Sequence, residues 1–315
     1  MNKIAALILS LMLVLSACRD SNSLLPIDNQ PVYPAVDGYP AWSPDGSKII
    51  YNHAGWTKIY VGGAAQSNPD SGGLWLMGAD GSNQHLFLKG DYYDADWSPD
   101  GQWLVMNSGS QIYKIKITKD SLIQLTFGGR NFFPSWSPDG RQIAYDSDVN
   151  DPNGANVIWK MMSDGADKKD ISQHGVGEWR MPAWSPNGLR IVHQRYIGVG
   201  APEIYTMDTS GNNPIRLTFD DNFESYPEYS PNGTKIAFWS DGPSRYGIWV
   251  MNEDGSNLVQ LADRGTDSPS WSPDGTKIAY IGWTEKDYDP RNNGTVWVMN
   301  ADGTNKKQLT YGPDP

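Results

Sequence analysis

Apolar residues in this chain come in short runs, each set between clusters of Pro, Asp, Asn, Ser and Gly. Lys48-Ile49-Ile50-Tyr51, Gln142-Ile143-Ala144-Tyr145, Lys235-Ile236-Ala237-Phe238 and Lys277-Ile278-Ala279-Tyr280 are examples. They are of strand length and partly β-branched, which predicts β-strands. A five-residue signal precedes each. Trp42-Ser43-Pro44-Asp45-Gly46 returns at Trp97 to Gly101, Trp136 to Gly140 and Trp271 to Gly275. It returns in softer form, with Asn for Asp, at Trp184 to Gly188 and Tyr229 to Gly233. Proline presets φ for the second position of a type I turn, Asp or Asn tolerates the third, and glycine takes the left-handed place that follows. The signal therefore reads as a hairpin connector between antiparallel strands.

A second repeat lies downstream of the first. Leu74-Trp75-Leu76-Met77 leads to Asp80-Gly81, and Ile158-Trp159-Lys160-Met161 to Asp164-Gly165. Ile204-Tyr205-Thr206-Met207 leads to Gly211, Ile248-Trp249-Val250-Met251 to Asp254-Gly255, and Val296-Trp297-Val298-Met299 to Asp302-Gly303. In one unit Ile112-Tyr113-Lys114-Ile115 turns through Lys119-Asp120-Ser121 instead. A last short strand ends in Leu125-Thr126, Leu217-Thr218 and Leu309-Thr310. Each unit predicts four strands and three turns, and the aromatic heads of the units stand 55, 39, 48, 45 and 42 residues apart. Four-stranded repeats at this period mark a propeller. The expected fold is all-β, a six-bladed β-propeller of four-stranded antiparallel blades over 37–311. The blades fall at about 37–88, 89–126, 127–173, 174–219, 220–262 and 263–311, with a tail at 312–315.

These signatures resemble the PD40 (WD40-like) repeats of the TolB family, over roughly Tyr39 to Thr310. For TolB-like proteins the resemblance implies partnership with a peptidoglycan-associated lipoprotein. The same repeat occurs in propellers attached to prolyl-oligopeptidase-like peptidases and in oligogalacturonide lyases. The stretch ahead of the first blade is too short for the α/β domain that precedes the propeller in TolB, so the contacts of that domain do not carry over.

That stretch has its own signal. Lys3 and the apolar run Ile4 to Val14, too short to span a bilayer, end in Leu15-Ser16-Ala17-Cys18. This resembles a bacterial lipobox. The expectation is a lipoprotein signal peptide over 1–17, acylation at Cys18 and a polar tether over 18–36. The implied place is the cell envelope, at the outer membrane facing the periplasm or the exported surface, with membrane contact through the lipid only. Val32 to Val36 could add an edge strand to the last blade. Cys18 is the single cysteine, which rules out an intramolecular disulfide or a cysteine zinc site. Without Lys3 the chain holds 24 basic and 36 acidic residues, a formal −12, which argues against nucleic acid and anionic lipid. A monomer is expected.

Candidate binding residues are sought where the repeats differ. Numbering the strands of a blade A to D from the channel outward, the A–B and C–D turns are near copies and read as structural. The B–C and D–A connections vary, and loops on a rigid scaffold are the usual seat of binding. Nine of the 14 tryptophans occupy repeating positions and are assigned to packing. Trp56, Trp179, Trp239 and Trp283 fall on or beside the variable face, where exposed aromatics suit sugars or protein partners. Just before each A strand stand Gly38-Tyr39, Tyr93-Asp94, Phe132-Phe133, Arg180-Met181, Ser225-Tyr226 and Asp267-Ser268, which predict a polar, asymmetric channel mouth. Glu178, Arg195, Asp221, Glu224, Arg245 and Arg264 are neighbouring candidates. The expected ligand or partner site therefore comprises Tyr39, Tyr93, Asp94, Phe133, Trp179, Arg180, Arg195, Glu224, Tyr226, Trp239, Asp267 and Trp283.

Catalysis has little support. There is no Gly-x-Ser-x-Gly elbow and no His-Glu-x-x-His. His53, His85, His174 and His193 stand singly, although convergence of His53, His174 and His193 would suit a lyase-like metal site. Asp146 to Asp151 starts like a calcium loop but has Asp151 where glycine is required and Val157 where glutamate is required. No cofactor and no metal are expected. Two readings of different class remain. One is a lipid-anchored scaffold holding an envelope protein or a saccharide. The other is a propeller enzyme acting on a polysaccharide.

Overall fold

The computed structural model describes residues 37–53, 57–59, 65–67, 72–149, 154–172, 177–198, 200–263, 265–283 and 294–311. Six four-stranded antiparallel sheets form the blades of a β-propeller, and each takes its strands in chain order. The A strands are Asp37–Trp42, Tyr93–Trp97, Asn131–Trp136, Trp179–Trp184, Phe223–Tyr229 and Thr266–Trp271. A two-stranded hairpin, Thr57–Ile59 with Ala65–Ser67, rises from the first B–C connection.

The five-residue connectors fold as their residue types dictate. Gly46 N–H donates to Ser43 O at 2.8 Å, closing the turn, and Gly46 takes φ +69°. Ser43 Oγ donates to Asp45 Oδ1 (2.6 Å) and accepts from Lys48 N–H (2.9 Å), while Asp45 also accepts from Ser47 N–H. These donors hold the Asp45 carboxyl down at about 2. The same pattern is made by Ser98–Asp100, Ser137–Asp139, Ser185–Asn187, Ser230–Asn232 and Ser272–Asp274.

Blades stack through faces that alternate along each strand. Trp42, Ile49, Tyr51 and Met77 of the first blade pack against Ala279, Val296, Val298 and Leu309 of the last. Trp97, Trp136 and Trp271 occupy the corresponding places at three other junctions and are buried. The glycines of the C–D turns press on the preceding blade. A Cβ on Gly211 would stand 1.4 Å from Ile171 O, at φ +85°, so only glycine fits there.

Among the described residues no strand crosses between the first and last blades, and Val32 to Val36 lie outside them. One backbone hydrogen bond and several side-chain bonds close the ring. Asp37 N–H donates to Gly294 O (3.1 Å) and Gln84 Nε2 to Leu309 O (2.8 Å). The Asp37 carboxylate accepts from His53 Nδ1–H at 2.6 Å and from the Thr310 hydroxyl, and Thr310 Oγ1 in turn accepts from Val296 N–H at 2.8 Å. Thr126 and Thr218 accept from Ile112 N–H and Ile204 N–H in the same way, so the Leu-Thr signature is a latch between strands C and D.

Candidate functional site

Every A strand is broken by a bulge. The register with strand B slips between Gly38 and Ala41, Tyr93 and Asp96, Phe132 and Ser135, Arg180 and Ala183, Ser225 and Glu228, and Asp267 and Ser270. The residue at the bulge has positive φ in all six: Tyr39, Asp94, Phe133, Met181, Tyr226 and Ser268, at 48–53°. Proline follows in five blades and Ala95 in the other. Strand A is the inner edge of its sheet, so a proline there forfeits no ladder bond. Left-handed backbone in bulky residues ahead of proline is strained, and bulges of this kind re-aim a side chain. Here they turn six side chains to the axis. The expectation placed these residues ahead of strand A; they lie within it, because the bulge hides two residues from the strand pattern.

The six differ by blade parity. Tyr39, Phe133 and Tyr226 come from alternate blades and meet: Tyr39 and Tyr226 join hydroxyl to hydroxyl at 3.2 Å, with ring centroids 5.6 Å apart, and Phe133 lies 6.1 Å from Tyr226. Together they plug the channel. Burial raises both tyrosine hydroxyls, Tyr39 to about 12. On one side of the plug lies a cavity of about 450 Å³, running to the exposed prolines of the A–B turns, among them Pro99, Pro138 and Pro273. This cavity therefore reaches the uniform end of the ring, with the plug residues Tyr39, Phe133 and Tyr226 in its lining on the side of the variable end.

Two carboxyls face each other inside this cavity. The residue before the aromatic that ends strand A is Ala41, Asp96, Ser135, Ala183, Glu228 and Ser270 around the ring, so Asp96 and Glu228 sit in opposite blades. Each accepts the free edge amide of the next blade, Asp96 from Trp136 N–H (2.7 Å) and Glu228 from Trp271 N–H (3.3 Å). Burial raises Asp96 to about 7. Burial and the charge of Asp96 raise Glu228 to about 8. Neither was among the sequence candidates, although a charge at a position otherwise held by Ala or Ser was the signal that could have found them.

The remaining candidates divide. Asp94 stands beside the plug, where Asn107 donates to it at 2.5 Å; burial and the neighbouring Asp146 raise it to about 8. Arg180 lies over the Phe133 ring (5.7 Å) and 3.7 Å from Asp146, so it joins this group. Asp267, raised to about 6 by burial, accepts from Ser268 N–H, and Tyr93 is exposed. Trp239 packs edge-on against exposed Phe223, and Trp283 is half-buried against the junction of the last and first blades. Three candidates need correction. Trp179 is fully buried, stacked on His193 at 4.8 Å beneath the Arg195 guanidinium at 4.1 Å, so it offers no exposed stacking face. Arg195 is held there, also over Tyr205, away from the channel. Glu224 is fully buried between two blades, paired with Arg245 at 3.2 Å, and raised to about 8 by burial.

Of the histidines expected to converge, His53 and His193 are held by separate partners in different blades. His53 is bound to Asp37 in the first blade. His193 is buried in the fourth, where desolvation lowers it to about 3. His85 is exposed on an outer strand, and His174, Trp56, Arg264 and Cys18 lie outside the described residues. Among the described residues no three His, Cys, Asp or Glu side chains are grouped to hold a metal ion. Asp146 and Asp148 are occupied by Asn156 and Arg130.

Comparison with known proteins places these features in a family. The family model described as the TolB beta propeller domain matches residues 30–188 and 188–313. An uncharacterized protein of Agrobacterium fabrum, Atu1656, is 29% identical over 174 residues, covering 53% of this chain and 57% of the relative. The Tol-Pal system protein TolB of Francisella tularensis subsp. mediasiatica is 28% identical over 228 residues, covering 68% and 52%. The solved structure of a putative TolB from Agrobacterium tumefaciens superposes with a TM-score of 0.64 at 27% identity, covering 72% of this chain and 84% of that one. The chain spans about half the length of the curated relatives it matches. With the repeats matched along nearly all of its blades, the chain belongs to the TolB beta propeller domain family.

Proposed function

We propose that this protein is a binding scaffold of the bacterial cell envelope, acylated at Cys18, which holds a protein partner at the A–B turn end of its channel. The observation that carries the reading is the cavity itself. In a ring of near-identical repeats it is asymmetric, floored by an aromatic plug and lined on opposite walls by Asp96 and Glu228. A rigid concave site with a few placed polar groups is the usual form of a recognition site. Two carboxyls in low-dielectric surroundings suit a basic side chain or a terminal amine, which would restore their charge.

A relative named as a Tol-Pal system protein supports the choice of partner class, a peptidoglycan-associated lipoprotein or a protein like it. The test is titration of the mature chain with the peptidoglycan-associated lipoprotein of its own host. A one-to-one complex is expected, lost in Glu228→Lys and kept in Trp283→Ala at the other end of the ring. Binding that survives Glu228→Lys but fails with Trp283→Ala would move the site to the variable face.

The same two carboxyls carry the alternative, cleavage of a polysaccharide. A carboxyl raised to about 8 is protonated at neutral pH and can act as a general acid. Release of new reducing or unsaturated ends from envelope or plant polysaccharides, abolished in Glu228→Gln, would establish it in place of the scaffold.

A further inference from the structure

Among the described residues the exposed aromatic side chains are confined to one end of the ring. Among the described residues Tyr93, Phe127, Phe219, Phe223 and Tyr311 are exposed, and all five stand where strand D ends or strand A begins. The large exposed residues of the A–B turns, C–D turns and outer strands are aliphatic: Leu122, Ile123, Leu189, Ile215, Leu258 and Val259. The most exposed aromatics form a pattern. Phe127 (75%), Phe219 (72%) and Tyr311 (59%) each follow the Leu-Thr latch that ends the second, fourth and sixth blades. The corresponding residues of the other blades are Lys89, Gln173 and Asp263. Equivalent positions in alternate blades of a six-fold ring share one height and are a third of a turn apart, so the three aromatics form a tripod on the rim.

The chain enters the propeller at this same end. Asp37 opens the first A strand beside the tripod leg at Tyr311, since Asp37 accepts from the Thr310 hydroxyl. Cys18 precedes Asp37 by 19 residues, a reach of about 65 Å at full extension. We propose that the tripod rests on a zwitterionic lipid surface, with Phe127, Phe219 and Tyr311 as its contacts and the Asp96–Glu228 cavity facing away from the membrane. This rests on the acylation of Cys18 taken above. The tether brings this end to the bilayer and makes the rim's contact intramolecular, so weak contacts suffice. Phenylalanine rings bury apolar area at the boundary between headgroups and acyl chains, and tyrosine favours the same level. The Tyr311 hydroxyl donates to Gln308 O at 3.0 Å, and Arg216 covers the Phe219 ring at 5.0 Å while paired with Glu203. The formal charge of −12 without Lys3 favours a zwitterionic over an anionic surface.

Acylation consumes the single native cysteine, so one introduced cysteine can be labelled alone. Phe127→Cys, Phe219→Cys, Tyr311→Cys and, as an equally exposed control on an A–B turn, Leu189→Cys would carry an environment-sensitive fluorophore. The acylated full chain would be placed in phosphatidylethanolamine–phosphatidylcholine vesicles containing nitroxide lipid. Loss of fluorescence at 127, 219 and 311, with none at 189, is expected. Flotation with the vesicles is read first. A chain that does not co-float has no lipid anchor, and the placement falls with it. A chain that co-floats without quenching at the rim keeps its anchor and loses the placement. Quenching at all four sites, or protection of the rim only after an envelope protein is added, overturns the tripod as well.

Discussion

Tyr39 and Tyr226, 187 residues apart in the chain, meet hydroxyl to hydroxyl at 3.2 Å across the propeller axis. Their contact ties the first blade to the fifth through the middle of the ring and gives the cavity its floor. Tyr226→Phe removes the bond and keeps the ring packing, so a loss of about 1 kcal/mol in unfolding free energy is expected. Tyr226→Ala also removes the contact with Phe133 and should cost about 3 kcal/mol, read by urea denaturation.

The cavity carboxyls make stability depend on pH in a direction opposite to acid denaturation. A carboxyl whose folded pKa is raised keeps its proton in the folded state after the unfolded chain has lost it, so stability falls as pH rises toward the folded value. Asp96 at about 7 and Glu228 at about 8 place the upper part of that fall near neutrality. His193, held at about 3, acts the other way, but only below the ordinary histidine range. Melting temperature should therefore drop between about pH 6.5 and 8.5, with buried Asp94 and Glu224, also raised to about 8, adding to the fall, so Asp96→Asn with Glu228→Gln should lessen the drop without removing it.

Closure depends on one hydroxyl. Thr310→Val strips a partner from both Val296 N–H and the Asp37 carboxylate, and a cost of about 2–4 kcal/mol is expected. Thr126→Val strands only the Ile112 amide and should cost about 1–2 kcal/mol. Equal losses in denaturation would show that the bond from Thr310 to Asp37 adds nothing to closure of the ring.

Two glycines with positive φ should respond very differently to alanine. Gly211→Ala forces a Cβ into Ile171 O at 1.4 Å, so the turn must move and about 3 kcal/mol or more is lost. Gly109, at φ +54°, has nothing within 4 Å of the added atom, and Gly109→Ala should cost only the backbone strain, about 1 kcal/mol. Thermal melting of the two variants compares them directly.

The blades were legible because each turn is specified by local chemistry: Ser43, Pro44, Asp45 and Gly46 make their own hydrogen bonds wherever they occur. The plug was legible in part. Tyr39, Phe133 and Tyr226 stood out as large residues at one repeat position, but the bulge that swings them to the axis leaves no hydrophobic pattern of its own. Trp179 misled for a tertiary reason. It opens strand A next to a variable loop, yet His193 and Arg195 from the paired strand enclose it. Asp96 and Glu228 escaped because they lie in the repeated core of the unit, where attention to the loops does not look.

Hydrogen exchange on the propeller with and without its host's peptidoglycan-associated lipoprotein tests the central claim most directly. Protection is expected at the A–B turns and the strand ends that line the cavity, around 94–101 and 226–233, with the variable connections unchanged. Protection confined to the variable connections, or none at a partner concentration that saturates other members of the family, would contradict it.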